Sequence, residues 1–210
     1  MYVPAHFAAA DADVRALLGS VTAADLVTAT AEGLIATFLP LLYDPEAGEH
    51  GALLGHVARN NPHWQHPGAA SLVILRGPDG YVSPSWYASK QEHGRVVPTW
   101  NYLTVQAHGT LAVHDDVEWL RTLVTRLTNR HEARFDTPWS VDDAPAAFLE
   151  GQLRAIVGVE LAITRIEAKA KLSQNRPAAD QTGVVEALAA GSPAEQALAA
   201  AMREHGAPDA

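Results

Sequence analysis

The stretch DLVTATAEGLIATFLPLLYD, residues 25–44, decides the fold class of this chain. It contains two runs rich in apolar and β-branched residues, DLVTAT and GLIATFLPLLYD, with the turn-forming Ala-Glu-Gly at their junction. Short runs of this composition, bounded by turn residues, are typical of β-strands. A third run of the same kind, ALLGHVA, follows the turn-rich segment PEAGEHG. The sequence up to residue 58 therefore predicts three consecutive strands.

The β pattern continues beyond these three runs. ASLVILRG and YVSPSWY lie on either side of Gly77-Pro78-Asp79-Gly80, a combination that predicts a turn. The segment WNYLTVQAHGTLAVHDD predicts a long strand with a bulge or bend at Gly109. A last strand is predicted in AIVGVELAITRIEAKAKL, residues 155–172.

Helical periodicity appears before, between and after the strands. DADVRALLGS predicts a short first helix, and DVEWLRTLVTRLTNRHE spaces its apolar residues at helical intervals. DDAPAAFLEGQL predicts a shorter helix, with Asp142 or Asp143 as its cap and Pro145 in its first turn. The tail predicts two more helices, the second opened by Ser192-Pro193. Together these elements predict a mainly β, α+β fold, a closed antiparallel barrel of about six strands with flanking helices and a C-terminal helical tail.

Composition excludes several classes of function. With no cysteine, the chain has no disulfide, no thiolate zinc site and no cysteine nucleophile. No apolar run reaches the roughly 20 residues of a membrane span, and the first residues lack the pattern of a signal peptide, so we expect a cytoplasmic protein with no membrane partner. The net charge of −9, with scattered arginines and lysines, argues against nucleic acid as a partner.

A first group of candidate site residues lies in GHVARNNPHWQHP, which contains His56, Arg59, His63 and His66. His63 and His66 have the i, i+3 spacing that can bind one zinc ion on a helix, but no acidic or third ligand lies nearby. A haem needs only one histidine as axial ligand to its iron. Haem is therefore the better fit to this group, with His56 as the first choice of axial ligand and His63 as the second.

A second group lies in SPSWYASKQEHGRVVPTWNY, residues 83–102, which predicts a loop. Its hydroxyls, amides and cations are the groups that hold phosphate or carboxylate, and its aromatic residues can form a wall for a flat ring. The candidates for cofactor binding here are Ser83, Ser85, Trp86, Lys90, Arg95, Thr99, Trp100 and Asn101.

The third group is KAKLSQNRP, a run dense in hydrogen-bond donors after a predicted strand. Its candidates for cofactor binding are Lys171, Gln174 and Arg176, beside Ser173 and Asn175. All three lysines of the chain lie in the second and third groups, which favours anion binding there.

Six motifs, in this order and spacing, resemble the PaiB-like family of FMN-binding negative transcriptional regulators. They are MYVPAHF, LVTATAEGLIATFLPLL, GHVARNNPHW, YVSPSWY, VPTWNY and KLSQNRP. The resemblance runs from Met1 to about Leu188 and implies a split β-barrel like that of pyridoxamine-phosphate oxidases. We predict a cofactor-binding split-barrel domain over residues 1–176, with residues 177–210 as a helical extension of the same domain. It also implies a homodimer with a cofactor pocket at each subunit interface.

The same family includes haem-dependent piperazate synthases, which close N5-hydroxyornithine into a ring by forming a nitrogen–nitrogen bond. Family members commonly have a histidine before LPL, where this chain has Phe38, and an apolar ring there suits a porphyrin better than a flavin. We therefore predict an enzyme that resembles piperazate synthase, a haem b-dependent N–N bond-forming cyclase with a small amino-acid substrate. The alternative is an FMN-binding negative transcriptional regulator or a small flavin-dependent reductase.

The two cofactors would use the candidate residues differently. With haem, His56 or His63 would bind the iron, and the propionates would pair with Arg59, Lys90, Arg95 or Lys171. With FMN, Trp86 or Trp100 would flank the isoalloxazine, and the phosphate would be held by Lys90, Arg95, Lys171 and Arg176.

Overall fold

A computed structural model of the chain describes residues 1–205. Along these residues the strands are β1 (Ala23–Thr30), β2 (Gly33–Asp44), β3 (Ala52–Ala58), β4 (Ala70–Val82), β5 (Thr99–His114) and β6 (Ile156–Lys171). The α-helices are α1 (Asp11–Ser20), α2 (Ser89–Glu92), α3 (Val117–Glu132), α4 (Ala146–Arg154), α5 (Ala178–Ala189) and α6 (Pro193–Glu204).

The strands are hydrogen-bonded in the order β1-β2-β3-β6-β5-β4, and β1 also pairs with β4, so the sheet closes into a barrel. The stretch that predicted the first two strands forms an antiparallel pair, from Ala23 opposite Pro40 to Thr30 opposite Gly33. The predicted α+β class, with a barrel of about six antiparallel strands and flanking helices, is confirmed.

Two compact units form within the chain. The barrel unit comprises Leu18–Leu75 and Gln106–Ile166, and one of its apolar clusters packs α3 against β2 and β3 through Leu42, Leu54, Leu123 and Leu127. The three strands β1 to β3 lie wholly within this unit.

The helical unit comprises Met1–Leu17, Arg76–Val105 and the described residues from 167 to 205. Its core packs α5 and α6 against the ends of β4 and β6, and includes Val82, Leu172, Val184, Leu198 and Met202. The predicted division of the chain at residue 176 stays a prediction, and residues 206–210 of the predicted extension lie outside the described residues. Within residues 1–205, no helix has both the length and the apolar character that crossing a membrane requires.

The predicted turn at Gly77-Pro78-Asp79-Gly80 is wrong, because β4 continues through this segment to Val82. Both glycines have ordinary negative φ angles and serve close packing instead. A Cβ atom on Gly77 would lie 3.0 Å from the Cβ of Leu103, and one on Gly80 would lie 3.0 Å from a methyl group of Leu198. The strand pattern predicted for YVSPSWY also ends at Val82, since Pro84–Trp86 forms a 3-10 turn.

The predicted cap of the fourth helix is also wrong. Pro145, expected in the first turn, occupies the N-cap position of α4, and Asp142 and Asp143 belong to a separate 3-10 turn before it. Ser140 caps that turn, because its hydroxyl accepts from the Asp142 N–H while the Asp143 carboxylate accepts from the Ser140 N–H. The two acidic residues therefore shape the connection between α3 and α4 and do not start α4.

Candidate functional site

Three cations of the third predicted group act on one another in the helical unit, at and just after the end of β6 and beside the start of β5. The Nζ of Lys171 donates to the Thr99 hydroxyl at 2.5 Å and to the Trp100 carbonyl at 2.6 Å, and both partners are neutral. Burial, together with the charges of Lys169 and Arg176, holds the pKa of the Lys171 ammonium below its ordinary value. We call Lys169, Lys171 and Arg176 the cation cluster.

Aromatic rings lie close to all three members of the cation cluster, with the Lys171 Nζ 6.0 Å from the ring centre of Phe7. The Lys169 Nζ is 5.6 Å from the ring centre of Tyr102, 5.8 Å from that of Tyr2 and 5.9 Å from that of Phe7. The Arg176 guanidinium lies 4.6 Å from the ring centre of Tyr87. A ring face stabilises a cation without neutralising its charge. The cluster therefore keeps a positive field that an anion would complement.

The turn after β6 is held by side chains that were predicted to bind a cofactor. Asn101 is fully buried and donates to the Ser173 hydroxyl at 2.9 Å. Ser173 has a left-handed φ of 70°, and Gln174 stabilises the turn because its amide donates to the Ala170 carbonyl and accepts from the Leu172 N–H. In this arrangement Asn101 and Gln174 place the chain around Lys171, and their polar atoms are already engaged by the protein.

A buried carboxylate anchors the segment between β4 and β5. Asp180 of α5 is fully buried and accepts from both the N–H and the hydroxyl of Ser89, each at 2.9 Å. These bonds satisfy the N-terminal end of the short helix α2 and tie it to the helical unit. Sequence reasoning missed Asp180, because its carboxylate and Ser89 are 91 residues apart.

The other candidates of the second group occupy different positions in this segment. The Ser83 hydroxyl accepts from the Ser85 N–H at 3.2 Å, and Lys90 donates to the Ser85 hydroxyl at 3.1 Å. Trp86 packs partly buried against the core of the helical unit, while Arg95 is exposed. The role of these residues as cofactor ligands stays a prediction.

His63 is a buried member of a polar network in the barrel unit. Its side chain is 1% exposed, and its two ring nitrogens bond to the hydroxyls of Thr28 at 2.7 Å and Thr37 at 2.8 Å. Asn61 also donates to Thr37, at 3.3 Å. Burial, with a smaller contribution from the charge of His66, lowers the pKa of His63. Iron ligation by His63 would therefore require it to give up one of these hydrogen bonds.

His56 lies on β3 in a mostly apolar pocket of the barrel unit, with a volume of about 370 Å³. The pocket is also lined by Pro40, Leu127, Thr128, His131, Glu132 and Trp139. The Nδ1 of His56 is buried and has no hydrogen-bond partner among the described residues, and burial lowers the pKa of the ring. The pocket thus offers a neutral imidazole, which is the form that binds metals. No three metal-ligating side chains converge within residues 1–205.

Arg59 links separate segments of the barrel unit through hydrogen bonds. Its guanidinium binds both carboxylate oxygens of Asp115, at 2.5 and 3.0 Å, and its Nε donates to the Arg154 carbonyl at 2.7 Å. The same contact with Arg59 lowers the pKa of Asp115. Arg59 was predicted to pair with a haem propionate, but these bonds already engage its hydrogen-bond donors.

The structure gives specific contacts to residues that the sequence indicated only as members of a group. Lys169, one of the three lysines, completes the cation cluster, and Tyr87 and Tyr102, two of the aromatic residues predicted to form a ring wall, lie under its members. The scarcity of lysine was the available signal for Lys169. Asp79, which contacts Trp100, was not selected as a site residue because its neighbours predicted a turn.

A closed barrel of six antiparallel strands with flanking helices is the architecture of a split-barrel-like protein. The family described as "Putative FMN-binding domain" matches residues 1–165. The chain is also 34% identical over 191 residues to protease synthase and sporulation protein PAI 2 of Bacillus subtilis, covering 90% of this chain and 89% of that protein. The chain belongs to this PaiB-like FMN-binding-domain family, so the predicted resemblance is confirmed.

Solved structures support the fold. The FAD and heme binding protein from Mycobacterium smegmatis superposes with a TM-score of 0.54 at 17% identity, covering 77% of this chain and 71% of that one. The conserved hypothetical protein Rv2991 from Mycobacterium tuberculosis gives a TM-score of 0.54 at 14% identity, covering 84% and 94% of the two chains. At these identities the similarity shows a shared fold alone.

Proposed function

We propose that the chain binds FMN and that the cation cluster holds its phosphate. The observation that carries the proposal is the half-buried ammonium of Lys171, whose hydrogen-bond partners are neutral and whose pKa is lowered by burial and by the positive charges of Lys169 and Arg176. A phosphate dianion would neutralise the repulsion among Lys169, Lys171 and Arg176, and would accept charge-assisted hydrogen bonds from them. The Thr99 hydroxyl lies beside Lys171 and can donate to the same group.

An aromatic wall lies next to the cation cluster. Trp100, whose carbonyl accepts from Lys171, exposes 51% of its surface. A flat ring system attached to the bound phosphate can stack on such a surface. Bound FMN would supply reversible electron transfer, and the residues around it would bind and orient it. We therefore place Trp100 against the isoalloxazine.

The charge of the chain argues against gene regulation through direct DNA binding. The net charge of −9 opposes the phosphate contacts on which DNA affinity largely rests. We propose a small flavin-dependent reductase, and DNA binding by the FMN-loaded protein is the outcome that would replace it with a transcriptional regulator.

A haem enzyme is the second candidate, and His56 is the observation that favours it. A neutral imidazole with a buried, unpartnered Nδ1 in an apolar pocket fits the axial ligand of a haem. The corresponding activity would be the cyclisation of N5-hydroxyornithine to piperazate, with loss of water and formation of an N–N bond. In that case His56 would hold the iron, and Glu132 and His131 would be the polar groups beside it.

Visible absorption spectra distinguish the two candidates. We expect the purified protein to shift the flavin bands when FMN is added, and to leave the spectrum of added haem close to that of free haem. A sharp Soret band that weakens in His56→Ala, without a flavin shift, would instead establish the haem candidate. The control is His131→Ala, which alters the same pocket but keeps the buried imidazole of His56.

We also propose that the protein is a homodimer formed through the outer face of β2. Alternate residues of a strand share one face, and on β2 these are Leu34, Ala36, Phe38 and Pro40, all exposed. Leu34 is 76% and Phe38 is 70% exposed. An apolar β face of this kind suits a two-fold interface, because the same patch on a second copy complements it.

A charge on this face should separate the subunits. We expect Phe38→Glu to convert a dimer into a monomer in sedimentation experiments, because a carboxylate buried between two apolar faces has no partner. The matched control is Phe148→Glu on α4, a residue that is similarly exposed but outside β2. A wild-type protein that sediments as a monomer, or equal effects of the two changes, would contradict the proposed interface.

A further inference from the structure

Trp100 is held in place at both its backbone and its side chain. Its carbonyl accepts from Lys171, and its indole Nε1–H donates to the Oδ2 of Asp79 at 2.7 Å. Its ring contacts that of Tyr81 edge to face, at 6.5 Å between centres and an angle of 64°. Both rings remain about half exposed, at 51% for Trp100 and 49% for Tyr81.

An exposed tryptophan that is already fixed in the free protein loses little further side-chain entropy when a ligand binds to it. Large exposed side chains ordinarily sample several rotamers, and a binding partner must then offset the entropy lost when one rotamer is selected. A charge-assisted hydrogen bond from a neighbouring strand selects that rotamer in advance. Burial does not explain the arrangement, since the ring that Asp79 orients still faces solvent.

We propose that Asp79 is a positioning residue that holds the Trp100 indole as a preformed wall for the flat ring of a phosphate-bearing ligand. This inference rests on the proposed binding of FMN at the cation cluster. Lys171 is central to both halves of the site, because it fixes the Trp100 backbone and lies where the phosphate would bind. The ring wall and the phosphate site are therefore set at a fixed spacing before the ligand arrives.

Whether FMN binds more weakly or more tightly after Asp79 is replaced distinguishes a positioning role of Asp79 from a purely electrostatic one. Asp79 is an anion, so its removal would strengthen the binding of a phosphate if its charge alone mattered. Loss of a preformed wall predicts the opposite, a weakening of FMN binding by about 3- to 10-fold, which is the usual cost of immobilising one large side chain. Asp79→Asn keeps an oxygen that accepts from the indole but loses the charge, so it should retain wild-type affinity or bind slightly more tightly.

A double-mutant cycle tests the inference. FMN dissociation constants are measured by flavin fluorescence for the wild type, Asp79→Ala, Trp100→Phe and the double variant. Phenylalanine keeps a ring but has no N–H for Asp79, so we expect Asp79→Ala to weaken binding in the wild type. Beside Trp100→Phe we expect the same change to leave binding equal or slightly tighter, because only the removal of a negative charge remains. Equal effects in the two backgrounds, tighter binding by Asp79→Ala, or equal weakening by Asp79→Ala and Asp79→Asn would overturn the inference.

A measurement without ligand checks the contact itself. The indole N–H resonance of Trp100, identified by its disappearance in Trp100→Phe, should move and exchange faster with solvent in Asp79→Ala but not in Asp79→Asn. An unchanged resonance in Asp79→Ala would remove the basis of the proposal. If the wild type binds no FMN, the proposed function fails together with this inference. A wild type that binds FMN with an additive cycle removes the inference alone.

Discussion

Replacement of Lys171 by methionine is expected to weaken FMN binding by about 30- to 100-fold, because a charge-assisted hydrogen bond to a phosphate is lost. Methionine keeps an unbranched side chain of similar length, so the packing against Thr99 and Phe7 is largely retained. The change also removes a partly buried ammonium whose pKa is lowered by its surroundings. The desolvation cost of this ammonium offsets its lost bonds to Thr99 and Trp100, so the free energy of unfolding should change little. Weaker FMN binding would then report the lost phosphate contact together with the lost bond to the Trp100 carbonyl, and only the second effect should also weaken the binding of riboflavin.

The matched control is Lys90→Met. Lys90 is exposed and bonds to Ser85, outside the cation cluster, so we expect less than about a threefold change in the FMN dissociation constant from its screened charge. Fluorescence titrations of both variants at the same ionic strength give the comparison. An equal effect of the two substitutions would show that only the overall charge matters and would remove Lys171 from the phosphate site.

Replacement of His63 by alanine is expected to lower the free energy of unfolding by about 3 kcal/mol. The substitution removes two buried hydrogen bonds to the hydroxyls of Thr28 and Thr37, whose remaining partners are Ser71 and Asn61, and opens a cavity in the barrel unit. Urea unfolding measures the change, with His93→Ala on the exposed segment after α2 as the control. We expect less than about 0.5 kcal/mol from the control.

The same substitution should reduce the acid sensitivity of the protein. The pKa of His63 is lowered in the folded state, so below the ordinary value of 6.5 the unfolded chain binds more protons than the folded one. Stability is therefore present above pH 6.5 and is lost as the pH falls through the folded-state pKa. His63→Ala should show a shallower decline below pH 6.5, with the remainder contributed in part by His56. An unchanged pH profile would contradict the assignment of a buried, neutral His63.

The sequence predicted strands and helices correctly where the periodicity of the apolar residues and the turn residues beside them indicate the same element. The pair β1 and β2 followed from two β-branched runs around a short turn, and α3 followed from the helical period of its apolar residues. The segment around Gly80 failed for a physical reason. Glycine signals either a turn or a close approach, and only the packing of Leu103 and Leu198 against β4 decides between them.

The candidate site was predicted in composition but not in arrangement. Scarce lysines and aromatic residues drew attention to the segments that contain the cation cluster, yet the cluster depends on the placement of β6 beside β5, which brings Lys171 to Thr99 across 72 residues. Hydrogen bonding in the folded chain distinguishes the two histidines that the sequence left as alternative iron ligands. His63 has both ring nitrogens bonded, whereas His56 has a buried nitrogen with no partner among the residues described.

The most direct test of phosphate binding by the cation cluster is to compare FMN with riboflavin, which has the same ring and no phosphate. Fluorescence titration of the wild-type protein should give one FMN per chain, with riboflavin bound at least about 30-fold more weakly. In Lys171→Met the difference between the two flavins should largely disappear. Equal affinities of the wild type for FMN and riboflavin, or no binding of either, would contradict the account.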